Sequence, residues 1–271
     1  HALAAEAGAP DFRCPYDGQT LALLAAGTGV PAKGDTAVYA AGVSGQALTV
    51  GSPDGKRNRS LYYPVADLLD ARAGSASFWV QPLDWKGGDA PFHVMLRTMA
   101  GETYFMVYKF FNSNTLLFLL GPQGRWTGAK TAIPDWGPGQ WHHVACTWSE
   151  TEVSLWVDGQ PRAVERLRYP IPAFRGLEPL SVGPGTWGDG SVGTSLIDEV
   201  CLYRRVLAPG EIEALYRRDA DRAGVCHESG LLVVGRCTPV LDGKVGEAEY
   251  AFSSAGFLGS GGALSQRQGR I

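Results

Sequence analysis

The sequence lacks any apolar run long enough to cross a bilayer; its most apolar stretches are short and broken by Gly, Pro or charge. It also lacks a basic cluster. Lys and Arg number 24 against 27 Asp and Glu, a net charge of -3, so neither nucleic acid nor an anionic membrane is expected as a partner. Five cysteines are present, Cys14, Cys146, Cys201, Cys226 and Cys237, but none stands in a C-x-x-C pair. That weakens zinc and thioredoxin-type readings. No G-x-S-x-G occurs, and the Gly-rich GPGTWGDGSVG (183–193) lacks the G-K-[ST] of a phosphate loop.

Helix signals are scarce too. VADLLDAR (65–72) reads as a short helix or a turn. PGEIEALYRR (209–218) is better, with Ile212, Leu215 and Tyr216 on one face and acidic residues in its first turn. The rest is strand and turn. SASFWVQPL (75–83), TYFMVYKF (103–110), TLLFLLG (115–121), WHHVACTW (141–148), VSLWVDG (153–159), LSVG (180–183) and LIDEVCLYR (196–204) are short aromatic and aliphatic runs, most of them bounded by turn residues. FNSNT (111–115), SETE (149–152) and the Asp-Gly of VDGQPR (157–162) read as hairpin connections. The expected fold is all-β: an antiparallel two-sheet β-sandwich or jelly roll, with one short helix near the C-terminal end of the main domain.

GQWHHVACTWSETEVSLWVDGQ (139–160) places His142 and His143 beside Cys146 and looks at first like a metal centre. Neighbouring strand residues point to opposite faces, so two adjacent histidines cannot reach one ion. Trp141, His143, Ala145 and Thr147 share one face; His142, Val144, Cys146 and Trp148 share the other. Each histidine is expected to be a partly buried strand residue hydrogen-bonded to a neighbour. Among the carboxylates, Glu150 and Glu152 fall in a hairpin turn, and Asp198 and Glu199 alternate faces. None makes a convincing acid/base pair.

Four segments follow from these patterns. Residues 1–11 form a tail whose Ala2-Leu3-Ala4 resembles the end of a cleaved signal peptide. Residues 12–218 form the main domain, 219–230 a charged linker, and 231–271 a partial second module or C-terminal extension, too short for an independent core. Cys14 and Cys226 could staple the ends of the main domain, with Cys226–Cys237 the rival pairing. Asn58-Arg59-Ser60 is a glycosylation sequon.

Taken in order, GVSGQALTVG (42–51), SASFWVQPL, GQWHHVACTWSETEVSLWVDGQ, LSVG and SLIDEVCLYRRVLAPGEIEALY resemble the laminin-G-like jelly roll of the concanavalin A-like lectin/glucanase superfamily, over roughly Phe12 to Arg218. PVLDGKVGEAEYAFSSAGF (239–257) resembles the opening of a family 9-like carbohydrate-binding module, with Tyr250 where a Trp is usual. The first resemblance implies a secreted, extracellular or periplasmic lectin-like module, non-catalytic, within a larger polysaccharide-acting or cell-surface protein, with a polysaccharide or glycan as partner. The E-x-D-x-x-E strand of glucanases on this fold is absent. A protein-adhesion module is the alternative, and a glycoside hydrolase or lyase with an unrecognised site a further one. The resemblance also implies one structural Ca²⁺, with Asp17 and Asp198 at the matching acidic positions; the competing expectation is that both carboxylates cap turns. Aromatic platforms bind the apolar faces of sugars. Trp85, Trp126, Trp136 and Trp187, in polar Gly/Pro-rich loops, are therefore the candidate ligand residues, with Arg125, Asp135 and Asp189 supplying hydrogen bonds. Trp79, Trp141, Trp148 and Trp156, on strands, are assigned to the core.

Overall fold

The central strands carry little of the apolar–polar alternation expected of a half-exposed sheet, and their packing shows why. The computed structural model describes residues 8–24, 27–52, 59–89, 92–185 and 193–223. The chain divides into two compact units, His1–Val225 and Cys226–Ile271, and every described residue belongs to the first. The sequon at Asn58, Trp187, Asp189, Cys226, Cys237 and the segment 231–271 lie outside the described residues.

The strands run β1 (Phe12–Cys14), β2 (Ala22–Leu24), β3 (Gly27–Gly29), β4 (Lys33–Gly34), β5 (Tyr39–Ala41), β6 (Gln46–Val50), β7 (Leu61–Tyr63), β8 (Gly74–Pro82), β9 (His93–Ala100), β10 (Thr103–Lys109), β11 (Thr115–Pro122), β12 (Thr127–Ala132), β13 (His142–Trp148), β14 (Glu152–Val157), β15 (Gln160–Arg166), β16 (Leu180–Val182) and β17 (Ser195–Tyr203). Helix α1 (Pro209–Ala223) closes the series. Ten strands form one sheet, in the order β15-β14-β13-β8-β17-β1-β2-β3, with β6 also paired to β17 and β5 to β6. Seven form the other, β12-β11-β10-β9-β16-β7-β4. Every pairing in the two sheets is antiparallel, so the two-sheet sandwich matches the expectation.

The main core lies between the sheets. Phe78, Val144, Cys146, Trp148 and Leu155 of one sheet meet Phe105, Phe118 and Leu120 of the other. Trp148 contacts Phe105 and Phe118, and its indole N–H donates to the Asp70 carbonyl at 2.8 Å. On the outer face of the larger sheet, Trp79, Ala145, Trp156, Cys201 and Tyr203 pack instead against Ile212, Tyr216 and Ala220, spaced four apart along α1. That second layer buries both faces of β8, β13 and β17, which removes their need for alternation.

Helix α1 begins where the sequence signals it. Pro209 occupies the first helical turn, and Glu211 accepts the Ala208 backbone N–H at 2.8 Å while pairing with Arg205. It ends five residues beyond the expected Arg218. The segment read as linker from 219 starts as helix, because Ala220 and Asp219 are buried, Ala220 near Trp79 and Asp219 against Arg218. VADLLDAR forms only a turn, with the Leu68 and Leu69 amides on the Val65 carbonyl.

The hairpin joining β14 to β15 has positive φ at both Asp158 (53°) and Gly159 (72°), the signature of a type I′ turn. A Cβ at Gly159 would lie 2.7 Å from Cδ1 of Tyr216. Gly159→Ala therefore meets both an unfavourable φ and the helix. We expect a loss of roughly 2–3 kcal/mol in thermal or urea unfolding, with a smaller loss when Tyr216 is also replaced by Ala than the two single changes sum to.

Candidate functional site

The paired histidines resolve into two structural roles. His142 stacks on Trp136 with ring centroids 4.2 Å apart and planes 3° from parallel, and its Nδ1 lies 3.0 Å from Asp158 Oδ2. His143 faces the helix layer, between Trp79 (5.3 Å) and Tyr216 (6.1 Å), and its backbone N–H donates to Asp158 Oδ1. One turn carboxylate thus holds both residues. The His143 ring Nδ1 is buried without a hydrogen-bond partner, unlike the bonded ring expected. Burial pushes its imidazole down to about 4, Asp158 opposing the shift. A depressed histidine contributes stability that is complete above its unfolded value of about 6.5 and is lost as pH falls through that value toward 4. His143→Phe should flatten this acid branch by about 3 kcal/mol, seen as a smaller fall in Tm between pH 7 and pH 4 than in the parent.

The two acidic positions matched to calcium hold a loop instead. Asp198 is fully buried; Oδ2 accepts the amides of Val43 (2.9 Å) and Ser44 (3.2 Å), and Oδ1 accepts that of Glu199 (2.8 Å). Asp17 Oδ1 accepts the amide of Gln46 at 2.9 Å. Burial pushes Asp198 up to about 7, with Glu199 adding and the three amides pulling back. A calcium ion needs six to eight converging oxygens. These carboxylates converge on amide hydrogens, and among the described residues no group of three His, Cys, Asp or Glu is placed to hold a metal. The pair does not fit the ion, and turn capping is the role the geometry supports. Asp198→Ala strands three amides and should cost roughly 3 kcal/mol, whereas EDTA and added calcium should each leave Tm unchanged.

Neighbouring Glu199 is also committed. Its two oxygens take Arg13 Nε and Nη2, both at 2.7 Å. Cys14, expected as one end of a staple, is a buried free thiol 3.3 Å from the Tyr63 hydroxyl. Cys146 and Cys201 are buried and free as well.

The loop tryptophans separate. Trp126 precedes β12 and Trp136 follows it, so roughly 20 Å of strand places them at opposite ends of the sandwich. Trp85 and Trp136 were expected to be exposed, and both are buried. They fold over the sandwich edge with centroids 6.3 Å apart. Trp85 donates its indole N–H to Ser195 Oγ and stacks on His93 at 4.4 Å. His93 pairs in register with Lys109, which is fully buried and donates from Nζ to the Asp89 carbonyl. Burial, reinforced by Lys109, pushes His93 down to about 3. Sequence reasoning missed this polar cluster because nothing in its strand pattern sets it apart. Asp135 is exposed beside Trp136 but has no open ring to work with.

At the other end Trp126 is open, with 46 % of its surface exposed. It meets Tyr104 edge-on at 6.5 Å. The adjoining Arg125 is exposed and places its guanidinium over Tyr169, 5.6 Å from the centroid. Tyr169 is itself 48 % exposed. The loop carrying them is pinned: the Arg125 amide donates to the Pro122 carbonyl, Gly124 takes a φ of +73°, and the Gln123 amide donates to the Glu102 carbonyl. These are the marks of a type II turn. Neither Tyr104 nor Tyr169 was anticipated. Tyr104 read as a strand residue; Tyr169 stands before a proline in an irregular loop, the one hint that its ring would be left outside.

The laminin-G-type model described as the concanavalin A-like lectin/glucanases superfamily matches residues 54–213, more than half of the chain. No curated protein matches. Among solved structures, the binding domain of botulinum neurotoxin serotype G is similar over 78% of this chain and 51% of its own, at 11% identity and a TM-score of 0.62. The binding domain of paraclostridial mosquitocidal protein 1 is similar over 77% and 51%, at 12% identity and 0.61. The binding domain of botulinum neurotoxin DC, solved in complex with SialylT, is similar over 79% and 52%, at 10% identity and 0.60. At these identities the likeness is one of fold, and the chain spans about half the length of these structures. The ordered strands and the matched span agree: the chain belongs to the concanavalin A-like lectin/glucanases superfamily.

Proposed function

We propose that the protein is a secreted, non-catalytic module that binds carbohydrate within a larger protein, and that its ligand meets the end of the sandwich at Trp126. The observation that carries this reading is an open indole on a turn held by main-chain bonds. An exposed aromatic ring offers a flat apolar face to the C–H face of a sugar, and a preformed turn loses little entropy on binding. Tyr104 supports the ring from one side, and Tyr169 with Arg125 extends the surface. The superfamily includes lectins, and one structural neighbour was solved in complex with SialylT. Asp198 and Glu199 are engaged in the fold, and Glu150 and Glu152 are exposed in a hairpin. None of these four carboxylates is placed as an acid/base pair across a cleft.

A second reading has its own observation. At the opposite end Phe110 and Phe111 are exposed at a hairpin, their rings tilted against each other with centroids 4.7 Å apart, an apolar tip suited to another protein. Affinity electrophoresis through polysaccharide gels, preceded by a glycan array, separates the two. Retardation that weakens at least about tenfold in Trp126→Ala and persists in Phe111→Ala supports the carbohydrate reading. Retardation lost in Phe111→Ala alone moves the site to the other end, and no binding to any glycan sinks the proposal.

A further inference from the structure

Arg125 is treated differently from the arginines that knit the fold. Arg13, Arg205 and Arg218 each grip a carboxylate with two nitrogens. Arg72, Arg97 and Arg217 also face acids. Arg125 makes no such ion pair among the described residues; it lies over the Tyr169 ring. A cation–ring contact steadies a guanidinium without consuming any of its five N–H donors. The result is a positioned planar fork, exposed to water and one residue from an open indole.

We propose that this surface selects a sugar bearing a carboxylate. Arg125 takes the carboxylate through two parallel N–H bonds, and Trp126 takes the face of the same or the adjoining sugar ring. The inference rests on the carbohydrate reading above and adds the ligand's charge and shape. A carboxylate matches the fork in plane and at two points, which a hydroxyl does not. It is ionised at neutral pH. Arg168, exposed and next to Tyr169 in sequence on the loop after β15, adds a positive charge to the loop that carries that ring. The chain as a whole carries a net charge of -3, so general attraction would not draw a polyanion to it, and retention of one requires a local site.

The test is affinity electrophoresis at pH 7 of the full chain through gels containing polygalacturonate, its methyl ester, or dextran sulfate. The parent protein should be retarded about tenfold more strongly by the acid than by the ester, the range of one charge-assisted pair. Arg125→Gln should erase that difference while leaving the weak retardation by the ester. Arg125→Lys, which keeps the charge and loses the fork, should recover less than half of it. Trp126→Ala should weaken retardation by both polymers. Equal retardation by acid and ester, with Trp126 still required, overturns the carboxylate assignment and leaves the carbohydrate reading standing. Stronger retardation by dextran sulfate than by polygalacturonate overturns it as well, because charge rather than planar shape would then be read. Absence of binding in all three gels, together with a blank glycan array, overturns both. A circular dichroism melt of each variant, expected to overlay the parent, confirms that the losses are losses of contact.

Discussion

The fold depends on a single irregularity in its last strand. Between Asp198 and Cys201 the register of β17 against β8 shifts, and Glu199 adopts a left-handed φ of 49°. Such a conformation costs free energy in a residue other than glycine. Here it divides β17 in two: its first half pairs with β6 and its second half with β1. It also aims two successive carboxylates at two different elements, Asp198 at the amides after β5 and Glu199 at Arg13 on β1. A regular strand would have sent them to opposite faces with only one reaching the sheet edge. The early strands, far away in sequence, are therefore sewn to the last one by two successive buried acids at the bulge.

Much of the architecture was legible because strand runs and turn residues agree with each other. Seven expected strands appear within two residues of their read limits, and Asp158-Gly159 marks a turn from the sequence alone. Legibility failed where a side chain's surroundings come from distant parts of the chain. Nothing local distinguishes Trp136 from Trp126; both stand in polar, Gly-rich loops. His142 covers one and no described element covers the other. The helix end is hidden in the sequence for the same reason. RRDADR looks like a solvated run, yet Ala220 packs in the cluster of Trp79 and Tyr216, and Asp219 is buried against Arg218. Exposure is decided by what lies opposite a side chain, and composition does not report that.

The calcium expectation illustrates a related limit. An acid at a matching position in a resemblance says where a carboxylate stands but not what it faces. In this chain the answer for Asp198 is three amide hydrogens, and the carboxylate itself tethers the loop.

The turn from Pro122 to Arg125 is closed by backbone groups alone, through the Pro122 carbonyl and the carbonyl of Glu102. Gly124 is the position whose identity its shape demands. Gln123, Arg125 and Trp126 project from a frame that does not need their side chains. Such a frame lets these three positions vary while the same skeleton is inherited, and lets an engineer rewrite them without repacking the sandwich.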